Sequence, residues 1–411
     1  MSEESVEFKL DLGETATPLV HYYEMCVGSG HAALALRADW QAHLRKCRDE
    51  LGFEYVRFHG LLNDDMSVCV GNPEHPEHRF YNVDVIFDFL LEIGMRPFIE
   101  LSFMPTVLAS GSQTVFHYRG NVTPPRDFEQ WEDLVRSLAQ HLAGRYGHEE
   151  VARWFFEVWN EPNLDYFWGG TQEDYFELYR RSAAAVKFVD SNFRIGGPAT
   201  ARDGWVEELI AFCRENGVPL DFISTHHYPT DVAVGHDLEM EERMAASRRG
   251  ILTEWVKETR RRAGDLPLYY TEWNTSPSCL DPYHDDPYAA AFILKTIADN
   301  DGLADAYAFW TFSDVFEEAP FPSWPFHGGF GLLTLHGIEK PSYHAFRFLH
   351  ELGDERLHIE GAGKTAEALA ATRGPATHVL FWNYDVPRSD IRPAQVKLTV
   401  SRSAEPLQAT I

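Results

Sequence analysis

The sequence predicts an α/β protein in which eight parallel strands and their helices form a closed (β/α)8, or TIM, barrel. Short apolar runs alternate with amphipathic segments about eight times over roughly 300 residues. Alternation at this rate is typical of a parallel sheet with helical crossovers, and eight units favour a closed barrel over an open sheet. The candidate strands cover residues 20–26, 55–59, 97–102, 153–159, 193–197, 221–226, 267–272 and 304–311.

Two of the intervening segments show a clear helical period. In residues 127–146 the apolar side chains recur every three or four positions, which places them on one face of a helix. Asp127 is a start signal for this helix, and Gly144 and Gly147 close it. Residues 172–190 repeat the same period. Both segments therefore predict amphipathic helices that pack against the strands.

An open doubly wound sheet is the alternative to a barrel, and it would need a glycine-rich phosphate loop after an early strand. Gly28-Ser29-Gly30 follows the first candidate strand, but the third glycine that the loop requires three residues later is missing. A dinucleotide-binding loop is therefore not indicated. We interpret this segment as a tight turn at the mouth of the barrel.

The regular alternation ends near residue 353. Beyond it, strand-like runs are separated by Gly, Pro and Asp, and the N-terminal segment Val6–Leu12 alternates like a strand with one exposed face. We expect a small accessory β subdomain in which the two chain ends could pair. Its expected C-terminal strands lie at 367–372, 377–384 and 395–400. The expected domains are a barrel at 14–352 and an accessory subdomain at 1–13 plus 353–411.

The charge balance restricts the class of partner. The sequence has 36 Lys and Arg against 63 Asp and Glu, a formal charge of −27. Because phosphates need basic partners, we expect no nucleic acid and no anionic membrane surface as a partner. A neutral carbohydrate is compatible with this charge. The aromatic content of 14% suits stacking on sugar faces as well as a large core.

The cysteines and the N-terminal residues predict a cytoplasmic protein. The five Cys residues are scattered without a C-x-x-C motif, so we expect reduced thiols and neither a disulfide framework nor a zinc ribbon. The acidic start Met1-Ser2-Glu3-Glu4 lacks the basic and apolar regions of a signal peptide.

Two glutamates stand at predicted strand ends on opposite sides of the ring. Glu161, in Asn160-Glu161-Pro162, ends the fourth strand, and Glu272 ends the seventh. Barrel enzymes build their sites where strands end, so both carboxyls face one mouth. Retaining glycosidases need two carboxyl groups about 5–5.5 Å apart, one to attack the anomeric carbon and one to protonate the leaving oxygen. The pair predicts this chemistry, which requires no metal or organic cofactor.

Other polar and aromatic residues stand at strand ends around the same mouth. Asn160 precedes Glu161, and its amide could bond a sugar 2-hydroxyl. The adjacent His226 and His227 look like a metal-binding fragment, but neighbouring strand residues point to opposite faces. We therefore expect one to face the sugar, the other to be a buried, satisfied residue, and no metal to be bound. Trp310 is either a stacking platform for a sugar or part of the barrel core.

These residues resemble glycoside hydrolase family 39, the β-xylosidase and α-L-iduronidase family of the clan of barrel glycosidases. The matching pieces span most of residues 20–350. The Asn-Glu-Pro piece alone indicates only the clan, whereas the whole set in this order is much more specific. The pieces are Cys26–Gly30, Phe58–Gly60, Asp64–Met66, Trp159–Pro162, Ser224–Tyr228, Thr271–Trp273 and Trp310–Asp314.

The resemblance implies a retaining mechanism with Glu161 as acid/base and Glu272 as nucleophile. It also implies that an acidic loop with Glu317 and Glu318 supplies a further sugar contact. The chain is more similar to the bacterial members, which act on β-1,4-xylosides, although 353–411 is shorter than their usual C-terminal β region. The sugar subsite nearest the scissile bond is expected to contain His59, Asn160, His226, Tyr228 and Trp310.

The predicted function is an exo-acting β-xylosidase that releases D-xylose from the non-reducing end of short β-1,4-xylo-oligosaccharides through a covalent glycosyl-enzyme. One alternative is another retaining glycosidase of the clan, such as an α-L-iduronidase, an arabinosidase or a β-glucosidase. A second is a non-catalytic sugar-binding barrel. That class would be expected to lack one of the two glutamates, and both are present.

Overall fold

The computed structural model describes residues 4–235, 238–319, 321–402 and 410. Its strands are β1 (Glu4–Asp11), β2 (Thr17–Pro18), β3 (Cys26–His31), β4 (Tyr55–His59), β5 (Cys69–Asn72), β6 (His75–His78), β7 (Arg96–Leu101), β8 (Thr114–Val115), β9 (Gly120–Asn121), β10 (Phe155–Val158), β11 (Arg194–Ala201), β12 (Phe222–His226), β13 (Leu268–Trp273), β14 (Ala306–Phe309), β15 (Glu355–Leu357), β16 (Ile359–Glu360), β17 (Ala366–Arg373), β18 (Ala376–Asn383) and β19 (Ala394–Ser401). Its α-helices are α1 (Ala38–Leu51), α2 (Tyr81–Glu92), α3 (Phe128–Tyr146), α4 (His148–Val151), α5 (Gln172–Val189), α6 (Val206–Asn216), α7 (Met240–Ala246), α8 (Ile251–Ala263), α9 (Pro287–Asp299) and α10 (Pro341–Glu351).

Eight of the strands form a closed parallel barrel. In chain order they are β3, β4, β7, β10, β11, β12, β13 and β14, each paired with the next, and β14 returns to β3. Helices connect successive strands, so the predicted (β/α)8 fold is confirmed. The helices α3 and α5 begin and end within one residue of the predicted bounds. Asp127 caps α3, and a capping box of Thr171 and Asp174 begins α5.

The first barrel strand begins later than predicted, at Cys26 rather than at residue 20. The apolar run before it forms a turn in which Tyr22 and Tyr23 are buried. Their hydroxyls donate to backbone carbonyls of α9 and α10. An apolar run that packs beneath a sheet therefore has the same sequence pattern as one that enters it.

The segment Gly28-Ser29-Gly30 lies inside this first strand, so the prediction of a tight turn was wrong. A Cβ atom at Gly28 would lie 2.4 Å from Cε3 of Trp310, the residue that follows the eighth strand. The absence of a side chain at Gly28 therefore allows the Trp310 ring to lie against the first strand.

The barrel interior changes from aromatic to charged along its axis. Aromatic side chains near the strand beginnings pack with ring centroids as close as 4.9 Å. Two positions further along the same strands, Arg57, Glu100 and Glu157 point inward and are fully buried. A charged layer therefore lies between the aromatic floor and the mouth. The aromatic floor consists of Tyr55, Phe98, Phe155, Phe222 and Tyr269.

Both chain ends contribute to two small sheets beside the barrel. The strand β1 pairs in parallel with β19 over eight residues and antiparallel with β16. The second sheet has the order β18-β17-β15-β2. These sheets form the expected accessory β subdomain, and the N-terminal strand belongs to it. Within the described ranges, helices of the length and apolar character needed to cross a membrane are not found.

Candidate active site

A cavity of about 400 Å³ opens at the carboxyl ends of the barrel strands. Eight of the nine residues predicted for the site line it, but Glu317 does not. Its carboxylate instead lies 3.4 Å from Nε2 of His117. The side chains of Glu317 and Glu318 leave their irregular loop in different directions, so of the pair only Glu318 enters the cavity. The eight predicted residues that line it are His59, Asn160, Glu161, His226, Tyr228, Glu272, Trp310 and Glu318.

Glu161 is held by an unusual turn directly after the fourth barrel strand. Trp159 and Glu161 both have positive φ values, of 72° and 44°. Such values are unfavourable for residues with a Cβ atom. The backbone N–H of Glu161 donates to the carbonyl of Ala199 at 2.7 Å, and Nε1 of Trp159 donates to the carbonyl of Phe167 at 2.8 Å. These bonds hold the turn that brings the Glu161 carboxyl to the cavity.

Glu272 is held from below and from the side. Its Oε1 accepts a hydrogen bond of 2.8 Å from Arg57, and its Oε2 accepts one of 3.1 Å from the hydroxyl of Tyr228. Nε2 of His59 lies 3.6 Å from Oε1. An anionic carboxylate is stabilised by such donors.

The two glutamates face each other across the cavity. One carboxylate oxygen of each, together with a ring nitrogen of His226, lie within 4.8 Å of one another. Nδ1 of His226 is 3.0 Å from Oε1 of Glu161 and 3.7 Å from Oε1 of Glu272. The separation of the carboxyl groups is close to that of a pair that shares one reacting carbon.

The hydrogen bonds around His226 indicate which of its nitrogens carries the proton. The hydroxyl of Thr271 donates to Glu157 at 2.8 Å, so its oxygen is left to accept from Nε2–H of His226 at 3.0 Å. Nδ1 is then an acceptor, and its neighbour is Oε1 of Glu161. The arrangement therefore favours a protonated Glu161 that donates to a neutral imidazole. Burial, with the charge of Arg57, lowers the pKa of His226 well below its usual value.

The two carboxyl groups differ in their electrostatic surroundings. Burial and the neighbouring charges of Glu272 and Asp231 raise the pKa of Glu161 well above its ordinary value. Burial also raises the pKa of Glu272, but Arg57 and His59 oppose this shift. Glu161, which has no buried cation hydrogen-bonded to it, therefore keeps its proton to higher pH than Glu272.

Arg57 is the main site residue that the sequence reasoning missed. Its guanidinium contacts Glu157 at 2.5 Å, Glu100 at 2.7 Å, Glu272 at 2.8 Å and Oδ1 of Asn160 at 2.9 Å. The Asn160 oxygen is therefore occupied, which leaves its amide N–H groups for a ligand. Arg57 comes two positions before the predicted His59, and strand alternation could have placed both on the inner face.

His59, Trp310 and Glu318 form one wall of the cavity. Nδ1 of His59 lies 2.8 Å from Glu100, its Nε2 lies 3.7 Å from Glu318, and its ring is 4.8 Å from that of Trp310. Burial, with the charge of Glu272, raises the pKa of Glu318 well above its usual value. Trp310 both packs against Phe316 and lines the cavity.

His227 points away from the cavity, opposite to His226. Its Nδ1 lies 3.4 Å from Oδ2 of Asp203, and its ring stacks on Tyr270 with centroids 4.1 Å apart. The two histidines therefore do not converge on one ion.

A closed barrel whose mouth holds two facing, buried glutamates defines a barrel glycoside hydrolase, which acts on a carbohydrate substrate. The sequence model described as glycosyl hydrolases family 39 matches residues 6–400. The chain belongs to this family.

Several relatives of the chain carry a more specific name. It is 55% identical to a β-xylosidase of Caldicellulosiruptor saccharolyticus over 400 residues, which are 96% of this chain and 82% of that protein. It is 40% identical to a β-xylosidase of Geobacillus stearothermophilus, over 92% of this chain and 77% of that protein. A crystal structure of a monomeric β-xylosidase from Caulobacter crescentus superposes with a TM-score of 0.87 at 34% identity, covering 96% and 83% of the two chains.

Proposed function

We propose that the protein is a retaining, exo-acting β-xylosidase that releases D-xylose from the non-reducing end of short β-1,4-xylo-oligosaccharides. The observation that carries this proposal is the facing pair of Glu161 and Glu272, with carboxylate oxygens within 4.8 Å. The β-xylosidase names of the similar proteins support the choice of glycone.

The proposed reaction has two steps. In the first, Glu272 attacks the anomeric carbon, a covalent glycosyl-enzyme forms, and the glycosidic oxygen leaves with the proton of Glu161. In the second, Glu161 takes a proton from water, whose oxygen displaces Glu272 from the anomeric carbon. Two displacements restore the β configuration.

The contacts of each glutamate support these roles. Glu272 accepts hydrogen bonds from Arg57 and Tyr228, which stabilise its anion until it attacks. Glu161 lies beside the acceptor nitrogen of His226 and lacks such a cation, so it starts the reaction as an acid. The N–H groups of Asn160 are proposed to bind the sugar 2-hydroxyl.

The charge of the cavity supports a neutral sugar rather than the acidic sugar of an iduronidase. The described lining holds four carboxyl groups, Glu161, Asp231, Glu272 and Glu318, against a single arginine, Arg202. A uronic acid carboxylate at the reacting sugar would meet repulsion from the anion of Glu272, and above about pH 7 from that of Asp231. The volume of about 400 Å³ suits one terminal sugar with its leaving group.

Three further statements stay predictions. They are a cytoplasmic location, the absence of a nucleic-acid partner, and a division into a barrel at 14–352 and a subdomain at 1–13 plus 353–411. The location is supported by five free cysteines, four of which are buried.

A panel of aryl glycosides tests the proposed function. We expect the highest kcat/KM on the β-xyloside, with β-glucoside, arabinoside and iduronide below it, and NMR of the early product should show the β anomer. A higher rate on another glycoside would assign a different substrate to the enzyme, and an α anomer as the early product would exclude the retaining mechanism. Glu272→Ala should abolish turnover yet still bind xylobiose, and unchanged turnover would remove Glu272 from the reaction.

A further inference from the structure

A second cluster of ionisable side chains lies at the opposite end of the barrel from the cavity. His21 and Glu24 precede the first barrel strand, and His350 lies near the end of α10. One ligand atom from each lies within 4.8 Å of the others. Their side chains are 16%, 13% and 29% exposed, so solvent can reach the cluster. None of these residues takes part in the chemistry proposed above.

The hydrogen bonding of His21 leaves one ring nitrogen for a cation. Its Nε2 lies 3.0 Å from the carbonyl of Gly353, which can only accept, so Nε2 carries a proton. Nδ1 faces Oε1 of Glu24 at 2.5 Å. A lone pair and a carboxylate this close need a proton or a metal ion between them. Metal-binding histidines commonly donate their other N–H to a carbonyl in this way.

The other two groups point to the same place. Nδ1 of His350 lies 3.1 Å from Oε1 of Glu24, the same oxygen that faces Nδ1 of His21. Gly52 lies beside them, where a Cβ atom would be 2.4 Å from Oε2 of Glu24 and 2.6 Å from Nδ1 of His350. The two imidazole nitrogens therefore converge on one carboxylate oxygen, and any residue with a Cβ atom at position 52 would collide with the cluster.

We propose that His21, Glu24 and His350 bind one divalent transition-metal ion of the zinc class. Two imidazole nitrogens and one carboxylate are ligands that zinc accepts, with water in the fourth position. Tetrahedral ligands at zinc bond lengths are about 3.4 Å apart. The separations of 2.5 and 3.1 Å from Oε1 of Glu24 to the two histidines must therefore widen when the ion binds. The ion joins the segment before the first barrel strand to the last barrel helix.

Zinc titration of the full chain tests this site. After chelator treatment and dialysis, calorimetry with ZnCl2 should show one ion bound per chain, and zinc should raise the Tm by a few degrees. His350→Ala and Glu24→Gln should weaken binding beyond the roughly 10–100-fold that loss of an outer partner costs, and should remove the Tm shift. His344→Ala, which removes another histidine of the same helix, should keep both zinc binding and the Tm shift.

Hydrolysis of an aryl β-xyloside by every variant verifies that it is folded, because the cluster lies far from the cavity. If His350→Ala does not fold, Glu24→Gln and His21→Gln supply the comparison. The proposal is overturned if the wild-type chain binds no zinc, or if binding survives in these variants. Zinc that binds at Glu161, His226 and Glu272 instead would inhibit hydrolysis and survive in the variants. Anomalous scattering at the zinc edge should place the ion beside His350.

Discussion

Nη1 of Arg57 donates a 2.8 Å hydrogen bond to Oε1 of Glu272 from beneath the cavity floor. The same guanidinium contacts the buried carboxyls of Glu100 and Glu157. Burial raises the pKa of Glu157, whereas His59 and Arg57 overcome burial to lower that of Glu100. Arg57 therefore favours the ionised form of each carboxyl in the layer on which Glu272 rests, and of Glu272 itself.

Replacing Arg57 by Met should destabilise the fold, because it leaves buried carboxylates without a cation. We expect the free energy of unfolding to fall by about 3–5 kcal/mol, measured by urea denaturation. Arg37→Met removes an exposed arginine paired with Asp39 and should cost less than about 1 kcal/mol. Equal losses in the two variants would contradict the role of the buried layer.

Tyr228→Phe should slow the reaction by removing the hydroxyl that donates to Oε2 of Glu272 at 3.1 Å. A hydrogen bond to a charged group is worth about 1.5–3 kcal/mol, so kcat/KM on an aryl β-xyloside should fall roughly 10–150-fold. Tyr179→Phe removes a hydroxyl that bonds the carbonyl of Pro219 far from the cavity, and should leave kcat/KM nearly unchanged. A Tyr228→Phe enzyme with wild-type kinetics would exclude this contact from the mechanism.

The effect of Glu161→Ala on kcat/KM should depend on the leaving group of the substrate. A substrate with a poor leaving group needs the proton of Glu161, so its kcat/KM should fall about 10²–10⁴-fold. The same substitution should affect the first step of an activated nitrophenyl xyloside much less. Rates are compared across a series of aryl β-xylosides of increasing leaving-group pKa. A slope equal to that of the wild type would argue against the acid role.

The pH profile should depend on Asp231, which lines the cavity and accepts from the N–H of Tyr228 at 2.9 Å. Burial raises the pKa of Asp231 to about 7, so its carboxyl is ionised only above that pH. There its charge adds to the rise in the pKa of Glu161. Asp231→Asn lowers the pKa of Glu161, so the acid form is lost earlier on raising the pH. The basic limb of kcat/KM should move down by about one pH unit.

The control for this shift is Asp165→Asn, which removes a negative charge from an exposed position. It should leave the basic limb in place. A basic limb that stays fixed in Asp231→Asn, or moves to higher pH, would contradict the electrostatic contribution of Asp231.

Gly28→Ala should disturb the wall formed by Trp310, because the new Cβ would lie 2.4 Å from its ring. Overpacking of this kind costs about 1–3 kcal/mol of stability, and the displaced ring should also raise KM. Gly144→Ala is the matched substitution in α3, where nothing lies within 4 Å of the added atom. It should stabilise the helix by up to about 1 kcal/mol. Thermal unfolding and KM measurements on Gly28→Ala and Gly144→Ala check these two expected outcomes.

The sequence predicted the barrel and eight residues of the cavity lining because strand ends converge by the geometry of the fold. Glu161 and Glu272 could be paired from strand order alone. Strand order did not show the contacts between the charged layer and the cavity, such as the one between Arg57 and Glu272. Arg57 lies in an apolar run whose inner face changes from aromatic to charged, and alternation alone does not show where the change occurs.

Two errors have a common physical origin. The first strand was placed too early, and Gly28-Ser29-Gly30 was interpreted as a turn. Both segments are shaped by distant parts of the chain, Tyr22 and Tyr23 by α9 and α10, and Gly28 by Trp310. The sequence also did not show which of Glu317 and Glu318 enters the cavity, because side-chain direction in an irregular loop follows no periodic pattern.

The parallel pairing of β1 with β19 has a consequence during synthesis. Lys9 is aligned with Glu360 of β16 and Glu4 with Ala394 of β19, so β1 is not fully paired until nearly the whole chain has been translated. At about 5–20 residues per second, this interval is roughly 20–80 s. Val6, Phe8 and Leu10, which are buried in the finished sheet, lack a complete sheet to cover them throughout that interval. During that interval the N-terminal strand is an unpaired edge on which chaperones can act and from which aggregation can start.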